Sequence, residues 1–248
     1  DFVEGDILIK PGRGLDAGAI SLAAAANYPH LDVVRRPRVA ILATGDELLA
    51  PGSEPGPDQI IASNGYGVAA LCAEAGAEAL DLGIVPDHRE RMAEAVLRAQ
   101  EAGAHVLVTL GGASVGDHDL VQEVLTGLGM KLEFWKIAMR PGKPLMVGRL
   151  GDMHVLGLPG NPVSSLVCAH LFLKPLLAKL AGRDHRADIR RAVLGSDMRE
   201  NDRRRDYVRA SAFPGPGGLV ATPFAVQDSS MLKTLASANC LIIRAPFA

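Results

Sequence analysis

The chain of 248 residues holds only three cysteines, Cys72, Cys168 and Cys240, widely spaced and set among apolar neighbours. An odd count with no CxxC pair and no Cys/His cluster at zinc spacing argues against a disulfide framework or a structural zinc site. It leaves buried thiols in a reducing compartment. Neither sign of charge is in excess: the net charge is −2 and the isoelectric point about 6.4. Nothing here suggests a polyanion-binding surface. Arg35-Arg36, Arg190-Arg191 and Arg203-Arg204-Arg205 are short and interrupted, as solvated faces are, so no nucleic-acid partner is expected. No uninterrupted apolar run reaches the roughly 18 residues of a membrane-spanning segment, so no membrane partner is expected either. The default location is cytoplasmic.

Several motifs are also missing. His88, His118, His154, His170 and His185 show no HExxH or other ligand spacing, and read as surface or core histidines. Asp228-Ser229-Ser230 has no histidine at a spacing that would make a serine hydrolase. Neither GxGxxG nor GxxxxGK[ST] occurs at the glycine-rich segment, which disfavours ordinary dinucleotide or P-loop nucleotide binding.

What is present is a soluble globular composition, 48% hydrophobic and 22% charged, long enough for one large or two ordinary domains. Residues 1–36 read as the remnant of an upstream domain. They offer a short strand at 7–9, a Lys10-Pro11-Gly12 turn, and a helix over 17–26 capped by Asp16. Pro37 marks a boundary. From there to 182, strands at 39–43, 79–85, 105–110, 131–137, 145–148 and 154–158 alternate with helices at 64–77, 89–102, 119–128 and 163–181. Gly182 stands in the position that ends the last of them. This predicts an α/β fold with a mostly parallel sheet sandwiched by helices. Residues 183–248 lose helical periodicity and predict a small antiparallel β domain, with strands at 192–194, 206–212, 219–222 and 240–244.

Polar and glycine- or proline-rich clusters follow successive strands of the α/β unit. In an open α/β sheet, ligands bind beyond the carboxyl ends of the parallel strands, so these clusters should converge on one edge. Asp46 and Glu47 after the first strand could give an oxygen ligand to Mg²⁺, or could simply be a cap and a surface acid. Pro86-Asp87 after the second strand fits a helix cap equally well. Gly111, Gly112 and Gly116 let the backbone turn and present amides to an anion. Ser114 adds a hydroxyl, and Asp119 could ligate a metal or cap the next helix. Lys136, Arg140 and Lys143 frame a loop stiffened by Pro141 and Pro144, and suit phosphate or another oxyanion. Pro159, Gly160, Asn161, Pro162 and Ser164 open the last helix, with Asn161 as cap and Pro162 at the first helical position. Its amides and hydroxyls would face an anion.

Taken in this order, TGDEL, Ser63-Asn64-Gly65, GGxSxGDxD, PGKP and LPGNPVS resemble the MoaB/MogA-like molybdopterin-binding family. The Arg36-Pro37-Arg38-Val39-Ala40 entry, the preceding VEGDILIKPG stretch and the β-rich extension after Gly182 are similar to its MoeA-type molybdenumtransferases. The resemblance implies a MogA-like α/β domain followed by a β-barrel-like domain. It also implies that adenylylated molybdopterin receives molybdate while its pyrophosphate bond is hydrolysed to release AMP, with a divalent cation, Mg²⁺, assisting. Glu47, Asp87 and Asp119 match the family's important acids, with Glu47 and Asp119 as metal ligands. Lys136 and Arg140 match its basic pair and Pro159 and Pro162 its structural prolines, and Ser114 and Ser164 are candidate oxyanion donors. Position 140 is often lysine in the family, and arginine keeps the charge while changing its geometry. A homodimer is implied, with a MogA-like adenylyltransferase as a further partner. Members carry a large N-terminal region that this sequence does not include, so activity of this chain alone stands as an open expectation. The competing functions are a molybdopterin adenylyltransferase and a non-catalytic binding or scaffold module.

Overall fold

The computed structural model describes residues 1–111 and 119–248. Asp16 caps helix α1 (Ala17–Ala25) by accepting the Ala19 amide at 2.8 Å. The strand expected at 7–9 does not form: the segment is irregular, and an apolar triplet needs a neighbouring strand to hold it extended. Then follow β1 (Arg38–Thr44), the short strands β2 (Leu48–Leu49) and β3 (Ile60–Ile61), α2 (Asn64–Glu74), β4 (Glu78–Val85) and α3 (Arg89–Glu101). Next come β5 (Val106–Leu110), α4 (Leu120–Gly127), β6 (Lys131–Trp135), β7 (Met139–Arg140), β8 (Met146–Leu150) and β9 (Met153–Leu158).

The main sheet has six strands in the order β4-β1-β5-β9-β8-β6. The first four are parallel, while β8 runs antiparallel to both β9 and β6. Alternation along β1 shows why both faces are covered. Val39 and Ile41 enter one core with Val68 and Cys72 of α2, and Ala40 and Leu42 enter the other with Met92, Ala95 and Val96 of α3. A strand buried on both sides must be apolar throughout, and β5, which reads Val-Leu-Val-Thr-Leu, is fully buried.

The last helical segment of this unit runs from Pro162 to Leu180 as α5 (Pro162–Cys168), a π-helical turn (Ala169–Leu173) and α6 (Lys174–Leu180). Pro175 has no N–H to give the Leu171 carbonyl, and the helix widens just before it. By length and mean hydropathy, 1.4, this segment could cross a membrane, but half of it is buried within the fold. Val163, Val167, Leu173 and Leu177 pack into the core between sheet and α2, so its apolar face already has a partner.

The β unit contains β10 (Val193–Leu194), β11 (Arg205–Gly215), β12 (Gly218–Pro223), α7 (Leu232–Ser237) and β13 (Cys240–Arg244). Its order is β10-β12-β11-β13, and the fifth strand is β7, lent by the α/β unit. The antiparallel pattern expected here holds for β12-β11-β13, but not at its margins: β10 pairs β12 in parallel, and β7 pairs β11 in parallel. The two units therefore share a sheet, with Met139 opposite Arg205 and Arg140 opposite Asp206.

Candidate functional site

Parallel pairing puts the carboxyl ends of β1, β4, β5 and β9 on one edge. Because β6 runs in the same sense, two antiparallel steps away, the loop following it opens on that edge too. The turns after β1, β4, β6 and β9 converge as expected, and of the glycine-rich cluster only Gly111 and Asp119 are among the described residues. The strand ends are in direct contact. Gly111 has φ +94° and its amide donates to the Leu158 carbonyl at 3.3 Å. A Cβ there would lie 2.6 Å from the Thr44 carbonyl oxygen, so only glycine lets the ends of β1 and β5 meet. Asn64, at the start of α2, donates from its side chain to the Gly160 carbonyl at 2.7 Å and ties that helix to the end of β9.

One flank of this edge is acidic. The Asp87 amide donates to Asp46 Oδ1 at 3.1 Å, joining the turns after β1 and β4. Asp87 itself does not cap α3. The cap position belongs to His88, which makes no side-chain cap bond, so the structural reason for an acid at 87 falls away. Desolvation and then the neighbouring charges of Asp46 and Glu47 push the Asp87 carboxyl above its ordinary range. Asp119 is buried and does cap its helix, accepting the Gln122 amide at 3.2 Å. Burial raises its pKa, the Gln122 and Val121 amides oppose that, and the charge of Asp87 adds to it. Glu47 is exposed, beside Gly45. Asp46, Glu47, Asp87 and Asp119 thus form an electrostatically linked series of hard oxygen donors. Among the described residues no three acidic, histidine or cysteine side chains lie close enough to hold a metal unaided.

The opposite flank is basic. Lys136 adopts φ +69° and sets its ammonium 3.9 Å from the centroid of the Trp135 ring. The loop is closed by the Lys136 amide on the Leu145 carbonyl at 3.0 Å and the Ile137 amide on the Lys143 carbonyl at 2.9 Å. Gly142 has φ +102°, and a Cβ there would lie 2.3 Å from Cys168 Sγ, so the loop seats directly on α5. Arg140 and Lys143 are exposed.

Sequence reasoning missed Arg209. It lies mid-strand in β11, 1% exposed, and its Nε and Nη1 are buried without a hydrogen-bond partner among the described residues. Burial holds its guanidinium below its usual pKa, Asp228 opposes this and the charge of Arg140 adds to it. A buried guanidinium with donors to spare is rare, because unpaired charge in the interior is costly. The available signal was an arginine set between the apolar Val208 and Ala210 in the middle of the strand.

The start of α5 also departs from expectation. Asn161 occupies the cap position but makes no capping bond. Its side chain instead donates to Ser229 Oγ at 2.9 Å, and the Val163 amide donates to the Ser229 carbonyl at 3.0 Å. One of the amides expected to face an anion is therefore spent on holding the β unit. Pro159 is buried, Pro162 stands at the first helical position, and Ser164 is buried at the same helix start. Gly112, Ser114 and Gly116 lie outside the described residues.

Residues 40–179 match the family model described as "Probable molybdopterin binding domain", more than half of the chain. The chain belongs to this family. Residues 191–246 further match the MoeA C-terminal region, domain IV. The chain is 36% identical over 244 residues to a protein from Bacillus subtilis named molybdopterin molybdenumtransferase, covering 98% of this chain and 56% of that protein. It is 32% identical over 246 residues to one of the same name from Haemophilus influenzae, covering 98% and 60%. A crystal structure described as the molybdopterin biosynthesis moea protein from Pyrococcus horikosii superposes with a TM-score of 0.82 at 29% identity, covering 96% of this chain and 57% of that one. The chain thus spans under two thirds of the length of these relatives, and the β unit distinguishes it from a lone α/β domain.

Proposed function

We propose that this chain forms the ligand-handling part of a molybdopterin molybdenumtransferase, acting in molybdenum cofactor biosynthesis on adenylylated molybdopterin and molybdate. The observation that carries the reading is one sheet edge with carboxylates on one flank and guanidinium and ammonium groups on the other. The acidic flank suits the pyrophosphate end of the substrate with a divalent cation. The basic flank, Lys136, Arg140, Lys143 and Arg209, suits a tetrahedral oxyanion, because charge-assisted hydrogen bonds to fixed donors are about twice as strong as neutral ones.

Mg²⁺ fits the donor set chemically: desolvation and the neighbouring charges of Asp46 and Glu47 raise the proton affinity of Asp87, and a hard cation beside it would relieve that repulsion. A cation held by so few protein ligands would complete its shell with water and substrate phosphate. When bound, it would supply charge neutralisation at the phosphate. Glu47 and Asp119 are the proposed ligands, with Asp87 orienting the water that attacks phosphorus. That attack breaks the pyrophosphate P–O bond and AMP departs. Arg140 and Arg209 hold molybdate for transfer to the dithiolene, where two Mo–S bonds form and one oxo oxygen leaves with the two thiol protons as water. A cytoplasmic setting agrees with the three free thiols. Homodimer formation, with further residues supplied from outside this chain, and delivery of substrate by a MogA-like adenylyltransferase complete the proposal.

The test is a titration of the chain with adenylylated molybdopterin, with and without Mg²⁺, followed by molybdate and assay of AMP. Mg²⁺-dependent binding with molybdate-triggered AMP release supports the reading. AMP-molybdopterin appearing from MgATP and molybdopterin would instead assign the adenylyltransferase reaction.

A further inference from the structure

Residues 227–230 lie between β12 and α7 and contact both Arg209 and the start of α5. Where β12 ends at Pro223, the ladder beside Arg209 loses its regular partner. The Gln227 carboxamide takes that place. Its Oε1 accepts the Arg209 amide at 3.0 Å, and its Nε2 donates to the Arg209 carbonyl at 2.9 Å and to the Phe224 carbonyl at 2.8 Å. The Phe224 amide closes the rung on the Arg209 carbonyl at 3.1 Å. Every polar atom of the side chain is thus spent on the backbone around one residue, and that residue carries the buried guanidinium with unpartnered nitrogens. Immediately afterwards, Ser229 is fastened to Asn161 and Val163 at the start of α5.

We infer that Gln227 is a positioning residue, which fixes Arg209 against the start of α5 so that its guanidinium is aimed at the oxyanion. This rests on the oxyanion reading proposed above. A side-chain amide bonded to both the N–H and the C=O of one residue acts as a substitute strand, and it leaves that residue little freedom to rotate about its position in the sheet. Arg140 is held independently, by pairing of β7 with β11. Loss of Gln227 should therefore misaim Arg209 while Arg140 stays in place. The oxyanion site would then be weakened but not abolished, and the adenylylated pterin would bind as before.

The experiment is a calorimetric titration with sodium molybdate of the wild-type chain, Gln227→Glu, Arg209→Ala and the double variant. Thermal melts confirm folding, and Gln227→Met serves as a second variant if the glutamate disrupts the chain. The expected result is about a tenfold loss of molybdate affinity in Gln227→Glu, about 1.4 kcal/mol, with binding of adenylylated molybdopterin unchanged. The double variant should be no weaker than Arg209→Ala alone, because a residue that acts only through Arg209 has nothing left to position. Wild-type affinity in both folded Gln227 variants, or full additivity in the double variant, overturns the positioning role and leaves the oxyanion reading standing. Failure of the wild-type chain to bind molybdate overturns the oxyanion reading and this inference with it.

Discussion

The acidic and basic flanks of the strand-end edge are assembled in different ways. The acids sit on turns that directly follow β1 and β4 and at the cap of α4, within one α/β unit. The proposed basic flank is composite: Arg140 comes from β7, which pairs with the β unit, and Arg209 from β11 of that unit. A flank built from consecutive strand ends is held by the sheet itself. A flank built from two units is only as good as the joints between them, and here those joints are the β7–β11 pairing, the Gly142 seat on α5 and the 227–230 segment.

The comparison breaks most sharply at Arg209. Arg209→Ala should lower molybdate affinity by about a hundredfold, since hydrogen bonds to charged groups are each worth roughly 1.5–3 kcal/mol, while Mg²⁺-dependent pterin binding is retained. Calorimetry with the two ligands separately checks this, and equal loss of both would mean that the flanks are not distinct. Gly142→Ala should come next. Its strained backbone and clash with Cys168 Sγ should cost about 1–3 kcal/mol, read as a lower melting temperature together with weaker molybdate binding. The Cys168→Ala background should recover only the part due to the clash.

Asp119→Ala removes a helix cap, and should cost about 1 kcal/mol of stability and weaken pterin binding only when Mg²⁺ is present. Unchanged binding at every Mg²⁺ concentration would remove its proposed ligand role. The smallest effect concerns Asp87. Its folded pKa is raised, so the folded state binds its proton more tightly than the unfolded chain, and this carboxylate opposes folding once ionised. Asp87→Asn should therefore leave the metal-free melting temperature equal or slightly higher, and flatten any rise in stability as pH falls toward the folded pKa. A lower metal-free melting temperature would contradict the repulsion inferred among these acids.

Much of the α/β unit was legible because its signals are local. Apolar runs such as 106–110, the glycine at 182 and the proline at 162 each report on their own few residues, and the predicted elements fall within a few residues of the observed ones. The acidic flank was legible for the same reason, since strand ends share an edge once the strands are parallel. Residues 7–9 misled because three apolar residues fix no partner. Asn161 misled because a good capping residue in the right place was recruited by Ser229 instead. Arg209 and Gln227 were invisible because their roles come from contacts between distant segments, which no spacing encodes. Of the three thiols expected to be buried, Cys72 and Cys168 are, and burial raises them to about 11 and about 12, whereas Cys240, on the last strand, is only half-buried.

The most direct test of a single site with two flanks is anomalous diffraction from crystals of the chain soaked in molybdate. The account predicts a molybdenum peak within hydrogen-bonding distance of the Arg140 and Arg209 guanidinium groups. A peak on the acidic flank, or none at the strand-end edge while molybdate binds in solution, would contradict it.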